Sequence, residues 1–318
     1  MEGSAVNEGG MSTPLGLRIL SFPLIYAGLL YLVLSYVYLA GFFFRASFAP
    51  TPVPGIIATL FSAAVMVIVY AWLANRVEQR PASELAVGPM LRELAVGIIM
   101  GAGLYSLCIA ILMVLGVYRI EGFNAWPILL PGIAVTVATG VFEELVFRGG
   151  VFRLAEEWLG TWWAIVLSSV VFGFVHLDNP EDLNGVLSIT LWAGLLLAAT
   201  YVLTRRLWLG MGLHAAWNYV QGSVFSGIVS GHGQQQGFTQ STMSGPEWLT
   251  GGSFGVEASV VAIAVCIPAG AAMMAIAARR GHIMAPRWKR VGAGGLTTPP
   301  RPRLGNELAR QHQQETMQ

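Results

Sequence analysis

In Val141-Phe-Glu-Glu-Leu-Val-Phe-Arg-Gly149, two carboxylates and a guanidinium follow directly on a long apolar run, residues 128–140. Charged groups at membrane depth are costly unless they pair or line a wet cavity. Glu144 and Arg148 are four residues apart, so on a helix they share a face and can form an ion pair. Glu143 points about 100° away and lacks that partner, so we expect the two glutamates to have different roles.

A simpler interpretation is that a helix ends here at the membrane interface and its charges snorkel towards water. Two further motifs inside apolar runs weigh against it: Phe172-Gly-Phe-Val-His176 and His214-Ala-Ala-Trp-Asn218, whose two polar residues share a helix face. One such residue alone could serve only as a hydrogen bond between helices. Together with the glutamates they favour a polar site within the membrane. The remaining histidines, His232, His282 and His312, lie in polar segments and are expected to be solvated.

The composition is that of an integral membrane protein. Of 318 residues, 55% are hydrophobic and 11% charged, whereas soluble domains are roughly 25% charged. The predicted fold class is an all-α, polytopic transmembrane helix bundle. Cys108 and Cys266 lie in separate apolar runs and indicate no disulfide framework. The net charge of +1 gives no indication of a nucleic-acid partner.

About eight membrane spans are predicted within residues 17–278, because a span needs roughly 20 apolar residues. The third contains Gly97, Gly101 and Gly103, which would let neighbouring helices approach closely. Residues 1–16 are a polar tail without the features of a cleaved signal peptide. Residues 279–318 are predicted to be a basic, disordered tail. The predicted spans are 19–44, 55–74, 94–117, 127–158, 161–176, 186–203, 207–229 and 254–278.

The arginines predict the orientation. Eight spans place both termini on one side, and of the 18 Lys and Arg all but Arg45, Arg119 and the motif's own Arg148 fall on that side. Since cytoplasmic loops carry the excess of basic residues, both termini are predicted to be cytoplasmic, in a bacterial-type plasma membrane. Basic residues of the tail between 279 and 290 would lie near anionic lipid, each adding ~1 kcal/mol at most. The alternative is that these residues are solvated and serve only to stop the transfer of the chain across the membrane.

A turn at Gly160 would bring two of the motifs together. Glu143 stands 17 residues before it and His176 stands 16 after it, so in an antiparallel helix pair they reach similar height at ~1.5 Å per residue. His214 follows Arg206 by only eight residues, so the residue count does not determine the depth of His214 in the membrane relative to Glu143.

The chemistry that suits this set is hydrolysis. A carboxylate beside a neutral imidazole can hold a water molecule and take its proton. A second histidine and an asparagine amide can donate to the oxyanion of a tetrahedral intermediate. The rival is a zinc site made by Glu143, His176 and His214 with water as fourth ligand. Because the chain has no His-Glu-x-x-His on one helix, we favour a site without a cofactor and keep zinc as the alternative.

The three motifs, in this order, resemble the CPBP family: Glu143-Glu144-x-x-x-Arg148, Phe172-x-x-x-His176 and His214-x-x-x-Asn218. That family covers the CAAX prenyl endopeptidases of Ras-converting type and bacteriocin-processing or self-immunity relatives. The resemblance covers about residues 80–225, and Pro246–Gly255 also looks like a stretch that precedes the last helix in bacterial members.

The resemblance implies an eight-helix intramembrane protease with a site open to the cytosol. Glu143 would be the general base with His176, Glu144 and Arg148 would support it, and His214 and Asn218 would form the oxyanion hole. The implied partners are membrane lipid and a membrane-associated peptide precursor or lipid-modified, including prenylated, protein. The alternative function is a non-catalytic membrane scaffold or self-immunity protein. A transporter is disfavoured because paired Gly/Pro-interrupted spans are not evident.

Overall fold

The computed structural model describes residues 15–47, 52–177 and 183–292. Most of the polar N-terminal tail, the acidic stretch 178–182 and residues 293–318 lie outside the described residues.

The described chain is a bundle of long apolar helices, so the predicted all-α fold class is confirmed. The helices are α1 (Leu15–Leu20), α2 (Pro23–Ala46), α3 (Pro52–Arg76), α4 (Met90–Val114), α5 (Leu130–Glu143), α6 (Arg153–Phe174), α7 (Leu183–Thr204), α8 (Trp208–Tyr219), α9 (Glu247–Thr250), α10 (Val260–Arg279) and α11 (Arg287–Gly292). A π-helix, Glu144–Phe152, joins α5 to α6, and a second one, Val220–Val224, extends α8.

Six helical stretches among the described residues are long and apolar enough to cross a membrane, and the protein is an integral membrane protein. One of them, Trp126–Phe174, has 49 residues and contains the predicted turn. Another predicted span corresponds to α8, whose 12 residues and π-helical extension of 5 residues fall short of a usual span. The count of eight spans stays a prediction.

The chain reverses direction at Gly160, as predicted. This residue has φ 77° and ψ 169°, which breaks α6 into two helical parts. The rings of Phe147 and Phe172 lie 5.1 Å apart, whereas a straight helix would separate them by roughly 37 Å. The resulting hairpin brings the glutamate motif alongside the segment that ends at His176.

Glycines allow α4 and α8 to pack with their backbones nearly in contact. A Cβ on Gly97 would collide with Leu209 O, and one on Gly101 would collide with Leu213 O. Gly103 has open space instead. Close approach is therefore confirmed at Gly97 and Gly101, and the prediction was wrong for Gly103. This contact fixes the position of the helix that carries His214.

A two-stranded antiparallel sheet covers one end of the bundle, where loops had been predicted. Strand β1 is Tyr118–Phe123 and β2 is Thr239–Met243. The hydroxyl of Tyr118 donates to Phe225 O at 2.7 Å and ties the sheet to the end of α8. We call this region the sheet end; it comprises β1, β2 and residues 124–129 and 225–238.

Ion pairs gather at the opposite end. Arg206 pairs with Glu93, and Arg205 pairs with Glu156 across different helices. We call this region the arginine-rich end; it comprises residues 76–92, 153–161, 204–208 and 279–292.

The start of the predicted disordered tail is folded onto this end. Met284 N donates to Thr161 Oγ1 at 2.8 Å, and the Arg287 guanidinium lies 4.6 Å from the centre of the Trp158 ring. Residues 279–292 thus pack against the Gly160 turn, because the turn offers them hydrogen-bonding groups and an aromatic face.

Candidate active site

The six predicted site residues lie on three segments of the bundle. Glu143 ends α5, and Glu144 and Arg148 belong to the π-helix that follows. A continuous α-helix had been predicted there, which the structure corrects. π-helical segments inside α-helices are frequent at functional sites. His176 follows α6, and α8 carries His214 and Asn218 immediately before the second π-helix.

Glu144 is the buried centre of a three-residue chain. Its Oε1 accepts from Arg148 Nη1 at 3.1 Å, so the predicted ion pair is present, and it also accepts from His214 Nδ1 at 3.1 Å. Arg148 is 2% exposed, and its guanidinium lies 4.9 Å from the centre of the Phe172 ring. Glu144 therefore holds both an arginine and a histidine in place, which is a positioning role.

Glu143 lacks such partners. Its Oε2 lies 3.7 Å from His214 Nε2, beyond hydrogen-bond distance, and has no hydrogen bond to the described residues. Glu144 Oε2 has none either, but Glu144 is anchored through Oε1, whereas Glu143 has no such anchor and lines the cavity. The contact also settles the depth of His214, which lies level with Glu143. The expected difference between the glutamates is thus visible in their contacts.

His176 is held through one ring nitrogen. Its Nδ1 lies 2.7 Å from Phe172 O, and since a carbonyl only accepts, this nitrogen carries the proton. In the neutral ring Nε2 is then left as a base. No hydrogen bond joins His176 to Glu143, but both side chains line the same cavity.

That cavity measures about 630 Å³, within the range of ligand pockets. Glu143, His176, His214 and Asn218 all line it, whereas Glu144 and Arg148 lie behind its wall. The rest of the wall is largely apolar and aromatic, with Phe172, Trp192, Trp217, Leu196, Leu197 and Leu213 among its members. Four of the predicted site residues thus line one cavity, and the other two, Glu144 and Arg148, are buried behind its wall.

Glu257 is a cavity residue that the sequence did not reveal. It lies in a short 3₁₀ helix, Val256–Ala258, and is 4% exposed. Its Oε1 accepts from Trp217 Nε1 at 3.2 Å, and its Oε2 accepts from Ser230 N at 2.7 Å. Its backbone oxygen accepts from Trp192 Nε1 at 2.9 Å. Glu257 therefore fixes both tryptophans of the cavity wall. The stretch Pro246–Gly255, singled out above, ends two residues before it.

The donor types would suit zinc, but their arrangement is incomplete. Both His176 and His214 are held through Nδ1, as histidines in zinc sites commonly are. A zinc site needs three protein ligands at about 2 Å from one point. Among the residues that the structure describes, no group of three or more His, Cys, Asp or Glu side chains is arranged in this way.

Residues 124–220 match the sequence model of the family described as type II CAAX prenyl endopeptidase Rce1-like. This segment, less than a third of the chain, is similar to the Rce1-like family. It contains all six predicted site residues, and the resemblance drawn from their motifs is confirmed.

A curated relative of the Rce1-like segment is the UPF0177 protein YvdC of Lactococcus lactis subsp. lactis (strain IL1403). It is 32% identical over 83 residues, a match that covers 26% of this chain and 30% of the relative. The match thus spans less than a third of either protein. No solved structure matches the chain.

Proposed function

We propose that the protein is an intramembrane endopeptidase that hydrolyses a peptide bond in a membrane-associated peptide precursor or lipid-modified protein. The observation that carries the proposal is the pair of unlike glutamates. Glu144 is held through Oε1 by Arg148 and His214 and does not line the cavity, whereas Glu143 makes no hydrogen bond to the described residues and lines the cavity together with His176 and Asn218. The Rce1-like family is one of endopeptidases by its description, which supports the same reaction.

In the proposed mechanism Glu143 is the general base. Its carboxylate takes a proton from a water molecule as the water oxygen attacks the carbonyl carbon of the scissile peptide, and His176 Nε2 helps to hold that water. The tetrahedral oxyanion accepts hydrogen bonds from the Asn218 amide and from His214 when Nε2 of that ring carries a proton. Glu143 then returns its proton to the leaving nitrogen as the C–N bond breaks.

Glu144 and Arg148 act through other residues. Glu144 orients His214 by accepting from Nδ1, and Arg148 holds Glu144 in place. Such preorganisation matters because oxyanion donors act only when they already point to where charge develops.

Cleavage of a peptide panel by the purified protein tests the proposal. The panel contains prenylated and unprenylated fluorogenic peptides, and the variants are Glu143→Ala and Glu247→Gln. Glu247 is an exposed carboxylate on α9, away from the cavity, and serves as the matched control. We expect cleavage by the wild type and the control and none by Glu143→Ala. Equal cleavage by all three would refute the role of Glu143. A contaminating protease would then account for the cleavage, and a non-catalytic scaffold or self-immunity protein would be favoured.

A zinc-dependent version of the same reaction is the second candidate. It is favoured by the two histidines held through Nδ1, with Glu143 within 3.7 Å of one of them. In this version Glu143, His176 and His214 would be ligands, and the metal would supply a water that is acidic near neutral pH.

We also propose that both termini are cytoplasmic. The basic residues of the arginine-rich end and the folded tail segment lie together, as expected for the side that retains positive charge. A reporter that is active only in the cytoplasm, fused after Gln318, should be active in cells. Activity of an exported-only reporter at the same position would refute this orientation.

A further inference from the structure

The cavity has its mouth at the sheet end of the bundle. Three of its lining residues, His232, Gln235 and Gln236, are exposed and belong to the segment between the end of α8 and β2. Arg45, near the end of α2, lines it as well. A peptide can therefore enter from this end.

The other end of the cavity is closed by packed side chains. Leu196, Leu197 and Leu213 are 0–3% exposed and form its deep wall. Behind the site lies the buried Glu144–Arg148 pair. None of the described residues of the arginine-rich end lines the cavity.

A buried polar cluster seals the arginine-rich end further. The hydroxyl of Tyr70 donates to Gly149 O in the π-helix and contacts Glu84. Glu84 pairs with Arg80, and Arg153 pairs with Glu78. These contacts tie α3, the 76–92 connection and the π-helix together, so that a path from this end to Glu143 would have to break them.

The mouth and the basic residues are therefore at opposite ends of the molecule. Since the excess of arginine marks the cytoplasmic side, we infer that the cavity opens to the extracytoplasmic side of the membrane and takes a peptide segment exposed on that side. Of the described Lys and Arg residues, eleven lie in the arginine-rich end, whereas the sheet end carries Arg119 alone and Arg45 lines the cavity near its mouth. A cytosol-open site, as the family resemblance implied, and cytoplasmic termini cannot both hold in this structure.

The inferred substrate class follows from where the mouth lies and from its chemistry. An exported peptide, or the extracytoplasmic flank of a membrane-anchored one, meets uncharged amide side chains first and then the aromatic walls of Trp192 and Trp217. The substrate class rests on the proposed endopeptidase activity, whereas the side on which the cavity opens rests only on the position of its mouth and on the proposed cytoplasmic location of the arginine-rich end.

Cysteine labelling tests the side directly. Gln235→Cys places a thiol at the mouth, and Trp288→Cys places one on α11 at the arginine-rich end, where Trp288 is 58% exposed. The native Cys108 and Cys266 are fully buried and should not react. In spheroplasts, a membrane-impermeant maleimide should label Gln235→Cys and not Trp288→Cys, and inside-out vesicles should give the reverse. Any other pattern overturns the inference.

A cleavage reporter separates this inference from the proposed function. One peptide is anchored in the membrane with its cleavable flank outside the cell, and a matched one carries the same flank in the cytoplasm. We expect cleavage of the first only, and its loss after maleimide treatment of Gln235→Cys spheroplasts. The expected labelling pattern without cleavage of either reporter would overturn the proposed substrate class and leave the orientation of the cavity standing. Cleavage of the cytoplasmic reporter alone would overturn the extracytoplasmic site.

Discussion

At the scale of single residues, two adjacent glutamates differ because their partners differ. Glu144 accepts hydrogen bonds from Arg148 and His214 through Oε1, whereas Glu143 accepts none from the described residues and faces the cavity. A carboxylate that is already engaged is a poor proton acceptor, whereas an unpartnered one in a cavity can take a proton from water. The structure thus gives a physical reason why only one of the two is the proposed base.

Amide substitutions should separate the base from the oxyanion donor. Glu143→Gln is nearly isosteric but cannot take a proton from water, so we expect kcat to fall almost to the uncatalysed rate. His214→Gln displaces at most one oxyanion donor, and removing such a donor typically costs ~10²–10³-fold in kcat, so this variant should keep measurable activity. Steady-state kinetics on one cleaved peptide, with Glu247→Gln as control, measures both. Equal losses in the two variants would contradict the assigned roles.

Glu257 should affect substrate binding more than the chemical step. Its side chain accepts hydrogen bonds from Trp217 and Ser230 and makes none to Glu143, His176 or His214. We expect Glu257→Ala to raise KM more than it lowers kcat, and Glu257→Gln, which keeps one acceptor oxygen, to recover part of the loss. A fall in kcat alone, equal in both variants, would argue against this positioning role.

The residues of the candidate site could be picked out from the sequence because polar residues stand out within apolar runs. Glu143, His176 and His214 lie where charge and hydrogen-bonding groups are costly without a reason. Glu257 could not be found in this way because it lies just before a span, where a carboxylate is usually solvated. Its burial follows from the packing of segments 230–258 onto the bundle end, which no local pattern encodes.

At the scale of elements, the site depends on how closely α4 and α8 pack. Gly97 and Gly101 place the two backbones in contact over the turns that carry Leu209, Leu213 and His214. In a membrane, where apolar surface gains little by leaving lipid, small residues at helix contacts let packing hold helices together.

The substitutions Gly101→Ala and Gly103→Ala test this contact. A Cβ on Gly101 would collide with the α8 backbone, so we expect Gly101→Ala to cost about 1–3 kcal/mol, as overpacking usually does, and to lower activity by shifting His214. Gly103→Ala is the matched control, since Gly103 faces open space on the same helix, and should leave stability unchanged or raise it by up to about 1 kcal/mol, because alanine is the better helix former. Thermal unfolding in detergent measures both. Equal destabilisation would show that the α4–α8 contact is not the cause.

Most predicted span boundaries lie within about five residues of helix ends, but α8 is much shorter than the span predicted for it, and two kinds of element were missed. The i, i+4 spacing of Glu144 and Arg148 fits an α-helix and a π-helix alike, so the sequence could not distinguish them. Strands β1 and β2 are short and lie more than 100 residues apart, and long-range pairing leaves no local signal. The Gly160 turn was predictable because glycine adopts a positive φ at little cost.

At the scale of the whole molecule, the two ends of the bundle differ in structure. The arginine-rich end is locked by ion pairs, and the sheet end contains the cavity mouth. Neither the side on which the cavity opens nor the docking of residues 279–292 follows from the spacing of motifs, because both depend on how the connections pack.

The ion pairs of Glu84 at the arginine-rich end should stabilise the fold less in acid. Burial opposes ionisation of Glu84, but the hydrogen bonds and charge of Arg80, together with Arg153 and the Tyr70 hydroxyl, lower the pKa of this carboxyl overall. A lowered folded-state pKa gives stability that is present above the unfolded-state pKa, about 4.3, and is lost as the pH falls through the folded-state value. We expect the Tm to stay level from pH 7 to about 5 and to fall below about 4.

The Glu84→Gln variant isolates this contribution. It removes one of the two carboxylate partners of Arg80, which is partly exposed and keeps Glu78, so we expect a loss of stability at pH 7 of about 1–3 kcal/mol and a smaller further decline in acid than in the wild type. Glu247→Gln, with an exposed carboxylate, should follow the wild type. An acid decline of the same size in Glu84→Gln would place its cause elsewhere.

Cleavage by the metal-stripped enzyme tests the central claim, that Glu143 activates water directly. The purified wild type is dialysed against a strong chelator, its metal content is measured by mass spectrometry, and the rate of peptide cleavage is compared before and after. The account predicts an unchanged rate at a metal content far below one equivalent per chain. Loss of cleavage that added zinc restores, together with one equivalent of metal in the wild type and none in variants of Glu143, His176 and His214, would contradict it and make these residues ligands.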